Sequence, residues 1–277
     1  MNGAAEHPGI TLACCGLLGT LVAETGLIER SFAEAIATQG VVSGTSAFAR
    51  RMAQVHQARG RAPGDVMRLL FPENEARAQA AQLAFDRALP DAIGRAVMQP
   101  VPGAVQVMER LRNAGCGICV ITSLPRRVLD LVLDASGLRR LVDLTLAAED
   151  VSRGFPAPEL VLTAILRTEV AAVQDVAVIH GTSAGIEAGR RSGAGVIAGV
   201  LTGPHSPARL RAAGATSIIP SIADLPALLA DGAAAAGTAS ARSNGSNDKL
   251  SGPASEPPAV VIDVPPQTRV RRRTSDR

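Results

Sequence analysis

The sequence is 277 residues long, yet it has a single lysine, no tryptophan and no tyrosine. The lysine, Lys249, lies near the carboxyl terminus, so a catalytic or phosphate-binding lysine in a folded core is excluded. Five phenylalanines are the only large aromatic residues, too few for the stacked platforms that bind single-stranded nucleic acids. Lysine-dependent chemistry and base stacking are therefore not expected.

Long hydrophobic runs and cysteines are also scarce. No apolar run approaches the roughly 18 residues that a membrane-spanning helix needs. The first residues show no positive region ahead of an apolar stretch, as a secretory signal would. Four cysteines are too few for a disulfide scaffold in a chain of this length. These absences predict a soluble, cytoplasmic protein with reduced thiols and no membrane partner.

Charge is nearly balanced over most of the chain. The sequence has 28 basic and 25 acidic residues, of which residues 1–230 hold 21 and 20. The last nine residues are different, because they contain five arginines and one aspartate. An evenly charged body disfavours a nucleic-acid partner, and the basic end would neutralise only a few phosphates.

Strand-like and helix-like segments alternate from Gly103 onward. Strands are predicted at 10–15, 117–122, 142–147, 175–180, 194–201 and 216–219, and helices at 104–114, 125–136, 157–168, 183–192, 207–213 and 222–230. Alternation of this kind is typical of βαβ units. The sequence therefore predicts an α/β fold with a parallel, doubly wound sheet, whose functional residues follow the strands.

Two regions interrupt or follow this pattern. Residues 23–98 are rich in alanine with helical spacing, which predicts a helical insert after the first strand. Residues 231–277 have no amphipathic period and predict a disordered, low-complexity tail. Its apolar run at 259–265 is interpreted as a spacer or, alternatively, as a peptide that adds a strand to a partner's sheet. The α/β core is accordingly placed at residues 9–22 and 99–230.

Five stretches carry a resemblance to a known family. They are GLLGTLV from Gly16, PGAVQVMERLRNAG from Pro102, VITSLPRRVLD from Val120, AEDVSRGFPAPELVLTAI from Ala148, and the whole segment from Val176 to Thr216. Together they resemble the haloacid dehalogenase (HAD) superfamily and, within it, the phosphonatase-like hydrolases, over about residues 9–230. The resemblance implies a HAD-like Rossmannoid core, with the insert at 23–98 forming a helical cap.

The resemblance also implies a mechanism. Members of the family use an aspartate in a D-x-D-G-T turn as the nucleophile that attacks phosphorus, and a second aspartate protonates the leaving group. A threonine or serine after the second strand holds the phosphoryl oxygens, and a lysine or arginine neutralises charge. Carboxylates after the fourth strand bind Mg²⁺, which prefers hard oxygen ligands and offsets the repulsion between carboxylate and phosphoryl group.

This sequence departs from that pattern at almost every catalytic position. The nucleophile aligns with Gly16 and the acid/base residue with Leu18. Both metal carboxylates align with glycines, Gly181 and Gly185, and the basic residue aligns with Phe155. The flanking glycines and threonines are present, which fixes the alignment. The sequence therefore predicts a pseudoenzyme that keeps the fold without the catalytic set, and no cofactor is expected, although Mg²⁺ serves the family.

Parts of the phosphate pocket remain. They are Gly19, Thr20, Thr122, Ser123, Thr182 and Ser183, with Arg153 as a displaced substitute for the basic residue. Backbone N–H groups in such turns bind anions, so a small anionic ligand is one predicted partner. A protein that meets the cap or the tail is another, and the resemblance suggests a homodimer.

A family-like activity through relocated residues is the first alternative. Glu24, Glu149, Asp150 and Arg153 are the charged residues that the sequence offers for a Mg²⁺-dependent hydrolase of small phosphate or phosphonate esters. None of them occupies a matched position, so this alternative is less favoured than the pseudoenzyme.

A second alternative is a serine esterase. Residues 181–185 match G-x-S-x-G on a strand-to-helix turn, with Ser183 as nucleophile and His180 or His205 as base. The α/β-hydrolase fold needs more strands after this serine than the sequence predicts. Small residues replacing a lost metal turn are the favoured interpretation.

The cysteines offer a third motif. Cys116 and Cys119 form a C-x-x-C pair, but the pair leads into a strand, whereas a redox pair begins a helix. Cys14 and Cys15 lie on the first strand. A zinc site in the middle of a sheet is sterically implausible, so all four are predicted to be small buried hydrophobic residues.

Overall fold

Six parallel strands form the centre of the protein. The computed structural model describes residues 9–230, so the predictions made for residues 231–277 lie outside it. The strands are β1 (Leu12–Gly16), β2 (Gly117–Ile121), β3 (Leu144–Leu146), β4 (Val176–His180), β5 (Val196–Val200) and β6 (Ser217–Ile219). Their order across the sheet is β3-β2-β1-β4-β5-β6, which confirms the predicted parallel α/β architecture.

The first strand lies in the middle of the sheet and is buried on both faces. Cys14 pairs in register with Cys119 of β2 and with Val178 of β4. Every residue of β1 is buried, as expected for a parallel strand covered by helices on both sides. The turns that follow β1, β2 and β4 therefore meet at one edge of the sheet.

Helices cover the sheet and fill the insert. Those of the core are α5 (Ala104–Asn113), α6 (Arg126–Ala135), α7 (Glu159–Thr168), α8 (Ser183–Ser192) and α9 (Pro207–Ala213), and residues 225–230 are also helical. Those of the insert are α1 (Leu27–Thr38), α2 (Ser46–Ala58), α3 (Pro63–Leu70) and α4 (Glu75–Arg95). None of these helices is both long and apolar enough to cross a membrane.

Local signals set the helix ends in the insert. Helix α2 begins at an N-cap threonine, since the hydroxyl of Thr45 accepts the Phe48 N–H at 3.2 Å. Pro63 occupies the first position of α3, where a missing N–H costs nothing. Asn74 caps α4 by accepting the Arg77 N–H at 2.9 Å.

The insert shares its apolar core with one face of the sheet. Phe32 of α1 packs against Phe85 of α4 with ring centroids 4.4 Å apart. Both belong to a continuous buried cluster that also contains Leu18 and Val120. Full burial of each phenylalanine contributes about 1.5–3 kcal/mol, so this shared cluster holds the helical insert on the sheet.

The chain enters and leaves the insert at one place. Val101 donates its N–H to the Leu21 carbonyl at 2.8 Å, and Ala23 donates to the Gln99 carbonyl at 2.9 Å. These bonds pair the two connecting segments directly above the end of β1. The helical insert therefore lies over the turns at the carboxyl edge of the sheet.

Candidate functional site

A small cavity lies between the helical insert and the carboxyl edge of the sheet. Its volume is about 50 Å³, enough for a few water molecules or a small ligand. It is lined by Leu17 and Leu18 after β1, by residues 122–124 after β2, by His180 and Thr182 at the end of β4, and by insert residues that include 58–61. Ligands in open parallel sheets bind at this edge, so the cavity is the candidate site.

The imidazole of His180 occupies the space that two of the expected carboxylates would need. A Cβ added to Gly16 would lie 2.9 Å from Cδ2 and Nε2 of this ring. A Cβ added to Gly185 would lie 2.7 Å from its Nδ1. Positions 16 and 185 are where the resemblance places the nucleophile and a metal-binding carboxylate. One side chain therefore excludes both.

The other metal position is closed by backbone. A Cβ on Gly181 would lie 2.7 Å from Cα of Gly203 and 3.0 Å from the carbonyl oxygen of Gly19. A Cβ on Gly203 would lie 2.7 Å from the carbonyl carbon of Gly181. The turns after β1, β4 and β5 thus touch without any intervening side chain. No group of three metal-ligating side chains occurs within residues 9–230, so the residues present do not fit Mg²⁺.

Two imidazoles occupy the amino terminus of α8. The Thr182 N–H donates to His180 Nδ1 at 3.1 Å, and the Ser183 N–H donates to His205 Nδ1 at 2.7 Å. The Thr182 hydroxyl accepts the Gly185 N–H at 3.3 Å as the N-cap. Because both Nδ1 atoms accept, the ring protons lie on Nε2. The N–H groups of Thr182 and Ser183, which a phosphate would need at this terminus, are already bonded.

Burial keeps both imidazoles neutral. It lowers the pKa of His180 to about 4, with a smaller contribution from His205. It lowers the pKa of His205 to about 4 as well, and the charge of Arg209 acts in the same direction. The ring of Phe155 meets His180 edge-on with centroids 5.2 Å apart, so an aromatic wall adds to this burial. Neutral rings match their role as N–H acceptors.

Thr122 and Ser123 line the cavity after β2 and hold their own turn. The Thr122 hydroxyl oxygen accepts the Leu124 N–H at 3.1 Å. The Ser123 hydroxyl oxygen accepts the Phe155 N–H at 3.2 Å. Both residues are buried. The structure thus brings these two predicted residues to the same cavity as Leu18 and Thr182.

Gly19 and Thr20 have a connecting role. The Thr20 hydroxyl accepts the Gly181 N–H at 3.2 Å, and the Gly19 carbonyl accepts the Thr202 hydroxyl at 2.9 Å. The two residues therefore tie the turn after β1 to the turns after β4 and β5.

Three of the four charged residues proposed for a relocated activity are engaged away from the cavity, and the fourth, Glu24, pairs with the cavity-lining Arg59. Arg153 is three-quarters exposed and pairs with Glu159 at 2.5 Å, away from the cavity. Glu149 accepts the backbone N–H of Arg126 at 3.0 Å, which caps α6 from outside. Asp150 pairs with the Arg126 guanidinium. These contacts stabilise the loops around β3 and place no carboxylate in the cavity.

A buried cation reaches the cavity from the insert instead. Arg59 follows α2, and its side chain is only 3% exposed. Its Nη2 lies 3.8 Å from Oε2 of Glu24, and the guanidinium also pairs with Glu29. Burial lowers its pKa, which the negative charge of Glu24 opposes. Sequence analysis missed Arg59, because the only local signal was the helix end marked by Gly60.

The structure does not assemble a serine nucleophile. The Ser183 hydroxyl is 3.3 Å from Nε of Arg209, and neither His180 nor His205 bonds to it. The Nε2 of His205 bonds instead to the His56 carbonyl at 3.3 Å. A base that could activate Ser183 is therefore absent from the described residues.

All four cysteines are buried and unpaired by disulfide bonds. Cys14 and Cys119 are neighbours in register on adjacent strands. Burial raises the pKa of Cys116 to about 11 and also raises the pKa of Cys15. Thiols of this kind are unreactive, as expected for small buried hydrophobic residues.

Core side chains tie the end of α2 to the sheet. Nε2 of His205 donates to the His56 carbonyl, and the Arg209 guanidinium donates to the Gln57 carbonyl. These carbonyls lie in the last turn of the helix and lack intrahelical partners. The two bonds cap α2 and hold the insert closed over the cavity.

Replacing Arg209 with glutamine should loosen this closure. The variant loses the bond to the Gln57 carbonyl, which contributes about 1 kcal/mol. Amide hydrogen exchange in the last turn of α2 should therefore become roughly fivefold faster, while global stability changes little. The matched control is Arg211→Gln, an exposed arginine on the same helix. Equal exchange rates in the two variants would contradict the tie.

Known proteins show what this chain is similar to. The sequence profile of the haloacid dehalogenase-like hydrolases matches residues 14–193. A phosphonoacetaldehyde hydrolase from Bordetella pertussis is 28% identical over 156 residues, which covers 48% of this chain and 56% of the relative. A validoxylamine A 7'-phosphate phosphatase from Streptomyces hygroscopicus subsp. limoneus is 36% identical over 113 residues, covering 41% and 51%. The chain thus spans about half the length of the curated relatives it matches.

Solved structures share the fold. A phosphonoacetaldehyde hydrolase-like protein from Oleispira antarctica superposes with a TM-score of 0.70 at 21% identity, covering 83% of this chain and 95% of that one. A hydrolase from Pseudomonas syringae superposes with a TM-score of 0.68 at 24% identity, covering 78% and 95%. The family profile spans well over half of the sequence. This chain therefore belongs to the haloacid dehalogenase-like hydrolase family.

Proposed function

We propose that this chain is a catalytically silent member of its family, which binds a small ligand beneath a closed helical cap and does not hydrolyse it. The observation that carries the proposal is the position of the His180 ring. The ring occupies the space of the nucleophile position, Gly16, and of the metal position, Gly185. Repacking of this kind goes further than the loss of a single catalytic side chain.

The carboxyl edge of the sheet lacks the groups that hydrolysis of a phosphate or phosphonate ester would need. The family's chemistry requires a carboxylate nucleophile, and no aspartate or glutamate lines the cavity. Mg²⁺ would have to neutralise the phosphoryl group, and the residues present do not fit it. The buried arginine that lines the cavity, Arg59, is already paired with two glutamates.

Binding has better support than turnover. The cavity is retained, lies where the fold places ligands, and is enclosed by apolar side chains with a few polar groups. The helical insert plays the part of a cap, held closed by the bonds of His205 and Arg209. A closed cover over a site without reactive groups favours a sensor or carrier of a small molecule.

The test is phosphate release from a panel of phosphomonoesters and phosphonates, including phosphonoacetaldehyde, with Mg²⁺ and then with a chelator. We expect no turnover above the protein-free blank in either condition. Protein is quantified by amino-acid analysis, because tryptophan and tyrosine are absent. Mg²⁺-dependent turnover that co-purifies with the protein and is lost in Thr122→Val would overturn the proposal. It would then favour a family-like hydrolase with relocated catalytic residues.

A further inference from the structure

A single imidazole connects the helical insert to the core through both of its nitrogen atoms. His205 lies in the turn after β5, and the residue is only 3% exposed. Its Nδ1 accepts the Ser183 N–H of α8 at 2.7 Å, and its Nε2 bonds to the His56 carbonyl in the last turn of α2 at 3.3 Å. Because Nδ1 accepts, the ring proton lies on Nε2 and is donated to the insert. The contact therefore requires the neutral ring.

The segment that His205 holds, residues 56–60, covers the cavity. Residues 58–61 are part of the cavity lining. The segment also packs tightly on α8, since a Cβ added to Gly60 would lie 2.8 Å from Cβ of Thr182. Gly60 has a φ of +93°, a conformation that residues with a side chain rarely adopt. Release of this segment from α8 would therefore open the cavity to solvent.

A second proton on His205 would break its contact with the core. Protonation places an N–H on Nδ1, opposite the Ser183 N–H that donates to it in the neutral state. Two donors cannot bond to each other, and the cationic ring would also lie at the positive amino end of the α8 dipole. The His56 carbonyl, which accepts from Nε2, is the one bonded group that favours the charged ring.

The charged and titratable side chains that face His205 come from several elements, and all of them are basic. They are His180 at the end of β4, His56 of α2, Arg59 after α2 and Arg209 of α9. Arg59 is paired with Glu24 and Glu29, but no carboxylate within residues 9–230 forms an ion pair with His205 itself. Burial and then the charge of Arg209 lower the pKa of His205 to about 4.

We propose that His205 is a proton-sensitive latch: the neutral ring holds residues 56–60 against α8, and protonation releases this segment and opens the cavity. The inference goes beyond the proposed function, because it concerns access to the cavity and applies whether or not the site is catalytically silent. Phosphate release decides the proposed function, so the two stand or fall separately.

Proton linkage sets the size and the sign of the effect. The released ring is hydrated and regains the ordinary pKa of 6.5, whereas the pKa of the latched ring is about 4. The released state therefore binds more protons between these values, and opening becomes more favourable as the pH falls. From pH 7 to pH 5 the equilibrium constant for opening should rise roughly twentyfold.

Amide hydrogen exchange of the full chain, measured by NMR at pH 7 and pH 5 and corrected for intrinsic exchange rates, tests the latch. The reporters are the Ser183 N–H, which bonds directly to His205, and the N–H groups in the last turn of α2. We expect their protection factors to fall roughly twentyfold between the two pH values. Guanidinium chloride up to about 1 M should hardly change their exchange, as is typical of local opening.

His205→Gln keeps a donor and an acceptor at this position but cannot titrate, so its protection factors should change less than about twofold between the two pH values. The comparison variant is His56→Gln, which removes an exposed imidazole of α2 and keeps the carbonyl that His205 uses. It should retain at least about half of the wild-type pH effect. If His205→Gln does not fold, imidazole ¹⁵N signals of the wild-type chain provide the second measurement. They should show His205 protonated at Nε2 at pH 7 and titrating well below pH 6.

Three results would overturn the latch. The first is an equal pH effect in His205→Gln and in the wild-type chain. The second is exchange of the reporters that rises with guanidinium chloride as steeply as that of the β1 amides, which would mean that they exchange only through global unfolding. The third is titration of His205 near pH 6.5 while the Ser183 N–H stays protected.

Discussion

Replacing Gly16 by aspartate is expected to destabilise the protein by about 3–5 kcal/mol and to restore no hydrolysis. The new Cβ would lie 2.9 Å from the His180 ring and equally close to the Thr20 hydroxyl. Both neighbours are buried, so neither can move away without breaking its own hydrogen bonds. The carboxylate would also enter a cavity that offers it no metal ion. Chemical denaturation followed by far-ultraviolet circular dichroism measures the effect.

Two alanine variants serve as controls: Gly16→Ala adds the Cβ without the charge, and Gly117→Ala adds a Cβ where there is room for it. Gly117→Ala also adds a methyl group to a strand glycine, but there the nearest atom is Cδ1 of Leu12 at 3.5 Å, an ordinary contact. It should therefore leave stability nearly unchanged, whereas Gly16→Ala should destabilise by about 1–3 kcal/mol.

A second substitution removes the imidazole of His180, the ring that an added side chain at position 16 would meet. Removing the ring with His180→Ala costs stability by itself, through lost packing and lost hydrogen bonds. The double variant with Gly16→Asp should, however, lose less stability than the sum of the two single variants, by at least about 1 kcal/mol. Additive losses would show that the ring and position 16 do not compete for the same space.

Acid should begin to destabilise the protein below about pH 6.5, before most carboxylates titrate. His180 and His205 have pKa values of about 4 in the folded protein, below the ordinary value of 6.5. The unfolded chain therefore binds more protons between these values, and stability falls as pH falls from 6.5 to about 4. Each histidine contributes at most about 3 kcal/mol, fully present above pH 6.5. Denaturation midpoints across this pH range measure the loss.

His205→Gln should reduce the slope of this pH dependence, because it removes one of the two groups that must take up a proton on unfolding. His56→Gln is the comparison variant: that side chain is exposed, and although its ring lies edge-on to His205 with centroids 6.0 Å apart and its charge helps to lower the His205 pKa, it should change the slope by much less than His205→Gln. A slope that His205→Gln leaves unchanged would assign the acid sensitivity to other groups.

The sheet could be predicted from sequence because the pattern of each strand and helix lies within a short stretch of the chain. Apolar runs alternating with amphipathic segments fix strands and helices within a few residues of their observed positions. The deviations also have a physical reason. The third strand was predicted at 142–147 but covers only Leu144–Leu146, since an edge strand has a neighbour on one side only. The absence of carboxylates at positions 16, 181 and 185 could also be predicted from sequence, because neighbouring glycines and threonines in the same motif identify each position.

The packing of the site could not be predicted. Gly16 and His180 are far apart in the sequence, and nothing near either residue indicates that a ring from one strand fills the space above another. Arg59 was missed for the same reason, because its partners are distant in the chain: Glu24 precedes α1 and Glu29 lies in the first turn of α1, whereas Arg59 follows α2. The three-dimensional arrangement of an insert on a sheet is set by long-range contacts.

The close contact between Gly181 and Gly203 affects how readily catalytic carboxylates could be restored to this chain. A carboxylate introduced at position 181 would meet backbone atoms of another turn, and carboxylates introduced at positions 16 and 185 would meet the His180 ring. Reversion by single substitutions therefore passes only through destabilised chains, whichever position changes first. Under the proposed function, catalysis would be hard to regain, because the space that the family's carboxylates need is occupied and could be reopened only by several substitutions made together.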